Sequence, residues 1–345
     1  MRSLSLQQFQ QTGGIFISQS KNLVVTVIAA VSVIEGEMTL GMLLAVQFII
    51  GQLNIPIEQL MQFLYNFQNV RLSIERISAI HGKAEERTGK EIPEQPEISR
   101  KDIRIEHLDF KYNLHGKAKV LDDIPLTIPA QRPPAIVGAS GSGKTTLVKL
   151  LLGYFAPTSG NIFLGDTPLQ DYDMTSWRHS CGVVLQDSHV FSESLARNIA
   201  VEDKHIDRTR LRTAARQANL EEFIEKLPLK YQTMVGAEGV GLSRGQEQRI
   251  FIARALYKDP SFVFLDEATN SLDANNERII TGNLLDFCKG RTVLIVAHRL
   301  STIRHADKIV VLHKGRIVEE GTHDELCARH GHYYELINNQ LIAMG

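Results

Sequence analysis

Cysteine is nearly missing from this chain: there are three in 345 residues, Cys181, Cys288 and Cys327. They are widely separated and form no C-x-x-C pair, which argues against a disulfide framework or a cysteine-built metal site and fits a reducing compartment. A surplus of either charge is missing too. The 38 Lys and Arg against 39 Asp and Glu leave a net charge of −1, where a nucleic-acid binder usually shows a strong basic excess. The first residues lack a charged segment followed by a short apolar core and a small-residue cleavage site, so no secretory leader is expected. At this length one large or two modest domains are expected.

Charge is scarcest between Ile15 and Leu64, where only Lys21, Glu35, Glu37 and Glu58 interrupt a run rich in Ile, Leu, Val and Phe. Two membrane-length helices are predicted, about Gly14–Ile34 and Thr39–Gln62, joined by the acidic turn Glu35–Met38. Gln19, Lys21 and Asn22 lie in the first; Gln47, Gln52, Asn54 and Pro56 lie in the second. Polar side chains at such depth usually face a bundle interior or an aqueous pathway. Arg2, Arg71 and Arg76 sit outside the pair, the arrangement expected when both ends are cytoplasmic. A soluble helical hairpin is the alternative reading. Phe63 to Ile80 reads as an extension of the second helix. Lys83 to Ser99, charged and carrying Pro93 and Pro96, reads as a linker. The predicted division is a membrane part over 1–82, a linker over 83–100 and a second domain over 101–345.

What that second domain does have is the run Gly138-Ala-Ser140-Gly141-Ser142-Gly143-Lys144-Thr145, a device for holding a nucleotide triphosphate. Ala135-Ile136-Val137 reads as a buried strand feeding it, and Leu147 to Leu152 as a helix leaving it. The glycines let backbone N–H groups turn inward around phosphate oxygens, Lys144 reaches the β- and γ-phosphates, and Thr145 reaches Mg²⁺. The N-terminal dipole of the following helix favours the same anion. Alone, the pattern also describes a Gly/Ser turn; the strand before and helix after it select the phosphate reading.

Alternation in Ile103 to Leu108 and Leu121 to Ile128 predicts half-buried antiparallel strands. Gly182 to Leu185, Phe262 to Leu265 and Val293 to Ala297 are apolar runs suited to a parallel sheet covered on both faces. Ser192 to Arg249 reads mostly as helix. Ile309 to Leu312, a Lys314-Gly315 turn and Arg316 to Val318 read as a closing hairpin. Arg132-Pro133-Pro134 predicts an edge or pre-strand position, because proline cannot donate to a ladder.

Chemistry-bearing residues fall at the strand ends. Asp266, at the end of Phe262–Leu265, can hold a metal, and Glu267 beside it can polarise an attacking water. Gln186 offers an amide to the metal or the water, and His298 can donate to a γ-phosphate. Each would pass for an ordinary loop or cap residue alone. Tyr112, 26 positions before Gly138, offers a ring to an adenine or simply belongs to the core.

Gly241-Leu242-Ser243-Arg244-Gly245-Gln246 with Gln248-Arg249 resembles the signature loop of ATP-binding-cassette (ABC) ATPases. Leu265–Thr269, Ser271-Leu272-Asp273 and His298-Arg299-Leu300-Ser301 match the same family in the same order, covering Lys101 to about Leu341. The resemblance implies a P-loop α/β fold with a mixed sheet, an antiparallel β subdomain and a helical subdomain, preceded by two long transmembrane helices. It implies ATP and Mg²⁺ as ligands. Phosphates and metal fall to Lys144, Ser142, Thr145 and Thr146, the metal shell is completed by Gln186 and Asp266, and Glu267 is the general base. His298 becomes the γ-phosphate sensor and Tyr112 the adenine platform. Ser243 and Gly245, with Gln246, are expected to meet a nucleotide held by a second, head-to-tail subunit, and Asp273 to lie at that seam. Glu238 resembles an acidic residue that meets membrane-domain loops. Arg244 departs from the family's usual glycine.

The first eighty residues resemble the last two membrane helices of ABC exporters, above all peptidase-containing exporters of bacteriocins and related peptides, through Gly36–Gly41, Gly51–Pro56 and Ser73–Ile77. The implied partners are a second ABC subunit, membrane lipid, further transmembrane helices from another chain and a peptide or protein substrate, with no nucleic acid. The implied location is the inner (plasma) membrane with the cassette in the cytoplasm. Such exporters have six membrane helices per subunit, so the chain is expected to correspond to the C-terminal part of a transporter. A soluble ABC clamp acting on nucleic acid or in translation, or a non-transporting ATP-binding remnant, are the alternatives.

Overall fold

The computed structural model describes residues 2–81, 98, 101–113, 116, 118–131, 134–297 and 306–344. The chain divides into two compact units, 1–85 and 86–345. The predicted linker falls almost wholly outside the described residues, as do Arg132 and Pro133.

The first unit is a pair of helices, α1 (Arg2–Ile34) and α2 (Leu40–His81). Gly36 stops α1 at φ +78°, the left-handed position where glycine has no Cβ penalty. Thr39 starts α2, its hydroxyl accepting from the Met42 N–H at 3.3 Å. The first helix runs further than the sequence predicted, beginning at Arg2 rather than near Gly14, while α2 continues from the apolar part through Pro56 to His81, as the extension over Phe63 to Ile80 predicts. Their 33 and 42 residues exceed the ~20 that span a bilayer core. Thr12–Ile34 and Leu40–Ser78 are long and apolar enough to cross a membrane. Their large side chains stand exposed, among them Phe16, Leu23, Leu44, Phe48 and Leu60, as expected of helices whose apolar surface meets something other than their own chain. A polar contact joins the two helices, Gln47 Nε2 donating to Thr26 Oγ1 at 2.6 Å, and Thr26 donates onward to the Asn22 carbonyl.

The second unit has two sheets. An antiparallel one has the order β2-β1-β4-β5, from β1 (Ile103–Phe110), β2 (Leu121–Ile128), β4 (Ser159–Leu164) and β5 (Thr167–Pro168). The other has the order β10-β9-β3-β8-β7-β6, from β3 (Pro134–Val137), β6 (Cys181–Val184), β7 (Phe262–Asp266), β8 (Thr292–Val296), β9 (Lys308–His313) and β10 (Arg316–Gly321). All its pairings are parallel except β9 with β10. The alternating and continuous apolar runs thus form the strand types predicted for them.

The parallel sheet is buried on both faces, which is why its strands carry no polar alternation. Phe262, Phe264, Leu294 and Val296 face a core shared with the antiparallel sheet and α3 (Lys144–Leu151). Val263, Leu265, Val293 and Ile295 face a second core. That core is built with α8 (Arg244–Lys258), α9 (Ala274–Cys288) and the short helices α5 (Leu195–Ile199), α6 (Arg208–Gln217) and α7 (Glu221–Glu225), while α4 (Met174–His179) sends Trp177 into the first core. The helical expectation for Ser192 to Arg249 holds only in part. Between residues 226 and 243 there is no α-helix: Pro228 stands early in the stretch, Gly236 sits at φ +91° and the Gly239 backbone packs directly on Met234. Two further helices, α10 (His323–Ala328) and α11 (His332–Met344), follow the hairpin. Pro134 does open a strand, but β3 lies inside the sheet between β9 and β8. Proline is accommodated there by standing first in the strand.

Candidate active site

The tips of β3, β6 and β7 come together around one cavity of about 240 Å³. It is lined by Val120, Ser140, Gly141, Gly143, Lys144, Thr145, Thr146, Gln186 and Glu267. The sequence-selected loop between β3 and α3 forms its floor. Gly138 is required by close packing: a Cβ there would lie 2.2 Å from the Leu312 carbonyl oxygen and 2.7 Å from Ser142 Oγ. Gly143 is required by conformation, closing the loop at φ +107° as the residue before α3. The β9–β10 turn, with Lys314 and Gly315 both at positive φ, clasps the loop from below. The Gly315 N–H donates to the Ser142 carbonyl at 3.0 Å, and the Asp122 N–H donates to the Gly315 carbonyl at 2.8 Å.

Lys144 is buried, its ammonium donating to the carbonyls of Gly138 at 2.8 Å and Ala139 at 2.9 Å. Burial holds its pKa below the ordinary lysine value, against the opposing pull of Glu267 and Asp266. Asp266, at the end of β7, is 1% exposed, and neither carboxylate oxygen has a hydrogen-bond partner of standard geometry. Burial pushes its carboxyl up, offset by the nearby Thr145 hydroxyl and the Lys144 ammonium. The Ser142 hydroxyl is likewise buried without a partner. Buried polar groups are normally paired, and an unpaired buried carboxylate is costly. This set therefore fits an anion on the loop and a hard cation beside Asp266.

Glu267 adopts φ +54°, rare for a side chain with a Cβ. Its N–H donates to the Val296 carbonyl at 3.0 Å and its own carbonyl accepts from Gln248 Nε2 at 3.3 Å. Its Oε2 accepts from Asn270 Nδ2 at 2.5 Å and lies 3.5 Å from Gln186 Nε2. The loop carrying Gln186 is tied to α3 by Lys149 and Asp187, 2.6 Å apart. The site thus offers a carboxylate beside an amide at the edge of a phosphate-sized cradle, a constellation suited to orienting water against a phosphoryl group.

Tyr112 lies on the surface, 57% exposed, its hydroxyl 3.0 Å from Thr146 Oγ1. Its ring meets Phe110 and Phe155 edge-on, with centroids 4.9 and 5.3 Å away. The ring therefore stands at the cradle rather than in the core.

The second group of selected residues is not part of this lining. Ser243 caps α8 by accepting from the Gln246 N–H, and the Gln246 side chain returns to the Ser243 N–H at 2.8 Å, a complete capping box. A Cβ on Gly245 would lie 3.1 Å from the Ser271 carbonyl oxygen, so this glycine also serves contact between α8 and the loop before α9. Arg244 is exposed at the first position of α8. Asp273 caps α9, accepting from the Asn275 and Asn276 N–H groups. Those bonds hold its carboxyl below the ordinary value. His298 with Arg299, Leu300 and Ser301 lies outside the described residues. Sequence reasoning missed two site residues. Val120 carried no chemical signal. Asn270 could have been found from its place three residues after Glu267, where a turn brings side chains back together.

A family profile for the ABC transporter matches residues 121–270, which hold the cradle, Asp266, Glu267 and the signature loop. The nucleotide-binding unit belongs to the ABC transporter family. Relatives of the ABC chain include the Toxin RTX-I translocation ATP-binding protein of Actinobacillus pleuropneumoniae. It is 39% identical over 95% of this chain and 46% of its own length. The exotoxin translocation ATP-binding protein PaxB of Pasteurella aerogenes is 42% identical over 90% of this chain and 43% of its own. The leukotoxin translocation ATP-binding protein LktB of Mannheimia haemolytica is 39% identical over 89% and 43%. The chain thus spans less than half the length of these relatives. A bacterial Atm1-family ABC exporter with ATP bound superposes with a TM-score of 0.71 at 30% identity, over 94% of this chain and 57% of the other. The ABC fold expected from the motifs is the fold observed.

Proposed function

We propose that this chain is the ATP-hydrolysing part of an ABC exporter that moves a protein across the inner membrane. The observation that carries it is the cradle itself: Lys144, Asp266 and Ser142 buried around a phosphate-sized space, the last two without a partner of standard geometry among the described residues. In this reading residues 1–82 belong to the membrane domain, 83–100 link, and 101–345 bind nucleotide. Support for the membrane role is the pair of long helices with exposed apolar side chains. Support for a protein cargo is that all three relatives named above are toxin translocation proteins. A bacteriocin-sized peptide draws no such support, and neither does a soluble nucleic-acid clamp.

ATP is the substrate. The loop N–H groups and Lys144 take its phosphates, and Tyr112 faces its base. Thr145, Gln186 and Asp266 are the residues that would hold Mg²⁺, which when bound supplies neutralisation of charge on the phosphate oxygens. Asp266 offers it a carboxylate already stripped of water. Glu267 orients and accepts the proton of the attacking water, aided by the Gln186 amide, and His298 would supply a donor to the γ-phosphate. The signature loop of one chain, with Ser243 and Gly245 at the exposed start of a 15-residue helix, meets the nucleotide held by a second head-to-tail copy or paralogue. Closure and release of that pair would move the membrane helices.

The test is Glu267→Gln in the full chain under dimer-competent conditions. ATP binding is retained and phosphate release falls by at least roughly a hundredfold; unchanged phosphate release would rule out the assignment.

A further inference from the structure

Glu267 has an unusually constrained backbone for a residue whose side chain has three free rotors. Its φ of +54° is held from three sides: by Val296, by Gln248 from the signature helix, and by the Asn270 N–H, which donates to the Glu267 carbonyl at 3.2 Å. Strain of this kind persists only where the surroundings over-determine it, and it collects at functional positions. A fixed backbone alone does not aim a carboxylate. Two amides compete for its Oε2, Gln186 at 3.5 Å and Asn270 at 2.5 Å. The Asn270 orientation is unambiguous, since an ionised carboxylate can only accept and the side-chain amide must present its NH₂. Asn270 also stands in the same turn as Glu267, so it travels with the base whatever the β6 loop does.

We propose that Asn270 is the positioning residue for Glu267, locking the carboxylate in the orientation from which it receives the proton of water. This rests on the reading of Glu267 as the general base. Gln186, on a separate loop and at the longer distance, is free to turn toward a metal or water while Asn270 keeps the base in place. A charge-assisted bond of this kind is among the stronger ones, and misplacing a catalytic group by about 1 Å can cost about a hundredfold.

Asn270→Ala, Asn270→Ser and Asn270→Asp in the full chain test it, beside Glu267→Gln. Asn270→Ala should lower kcat roughly tenfold to a hundredfold, while affinity for a fluorescent ATP analogue, read without turnover, stays within about twofold. Asn270→Ser, which keeps a donor, should recover part of the loss, and Asn270→Asp, which faces the base with like charge, should recover none. The second readout is thermal melting of the nucleotide-free protein. If the two side chains touch as described, the melting shifts of Asn270→Ala and Glu267→Gln fail to add in the double variant. Additive shifts, an unchanged kcat in Asn270→Ala, or equal loss of kcat and affinity would each overturn the positioning role. If those appear while Glu267→Gln is inactive, the exporter reading stands and only this inference falls; a fully active Glu267→Gln sinks both.

Discussion

The phosphate cradle and the signature loop are both glycine-bearing turns at the start of a helix, yet the structure leaves them in opposite conditions. At the cradle, polar groups are buried and incomplete: among the described residues Asp266 and Ser142 have no partner of standard geometry, and Lys144 donates to two carbonyls of its own loop. At the signature loop they are exposed and complete, each member of the Ser243–Gln246 box answering the other. The first kind of site is prepared in the lone chain and gains free energy when a ligand supplies what is missing. The second gains only by adding a contact or exchanging one it already has. A nucleotide should accordingly choose the cradle first and recruit the signature loop of another copy afterwards.

The contrast breaks most sharply at its glycines. Gly138→Ala forces a Cβ to 2.2 Å from a carbonyl oxygen and should abolish ATP binding, with an overpacking cost of about 3 kcal/mol. Gly245→Ala meets its carbonyl at 3.1 Å and should leave binding by the isolated subunit intact. Calorimetric titration with ATP separates them; equal losses would erase the distinction drawn above.

Next in size is Asp266→Asn. The carboxyl is raised by burial, so its ionised form costs stability. That cost is absent below the unfolded value and sets in as pH rises through the higher folded one. The amide should therefore stabilise the nucleotide-free protein at pH 7 by about 1–2 kcal/mol while removing any Mg²⁺ dependence of nucleotide binding. Denaturant melts with and without Mg²⁺ would show it, and a destabilised variant would count against the incomplete-site description.

At the complete site, Ser243→Ala loses the cap, about 1 kcal/mol, whereas Ser243→Asp keeps a capping oxygen and adds charge where phosphate would come. The aspartate variant should melt like the parent yet lose ATP hydrolysis; retained hydrolysis would reduce Ser243 to a cap. The smallest effect lies away from both sites. Bonds from Lys119, the Asp123 N–H and Ser159 hold the Asp109 carboxyl down at about 2. Its contribution is present above the unfolded value near ~4 and fades as pH falls toward 2. Asp109→Asn should cost about 1 kcal/mol at pH 7, allowing for solvent screening, with the difference vanishing in acid melts.

Sequence patterns revealed most of the second unit because its rules are local. Continuous apolar strands must be covered on both sides, and Gly138 to Thr145 can fold in few other ways. What escaped depended on neighbours far away in the chain. The inner place of β3 despite Pro134 is decided by pairing with β8 and β9. The stretch from 226 to 243 reads as helix with its neighbours, but Pro228 interrupts it and the backbones of Gly236 and Gly239 pack on Phe191 and Met234. The extra turns at the start of α1 lie where polar residues end the apolar pattern without ending the helix. At the site, the capping roles of Ser243 and Asp273 and the return of Asn270 toward Glu267 are readable from spacing, whereas the left-handed backbone of Glu267 is announced by no pattern.

The hairpin clasp has a consequence for biosynthesis. The cradle is made from residues 138–146, but part of its floor comes from Leu312 and Gly315. Synthesis runs from the N-terminus, so some 170 residues must be added after the loop is made before its support exists. A nascent cassette should therefore remain blind to ATP until the second β-hairpin strand emerges, long after the first unit has been made.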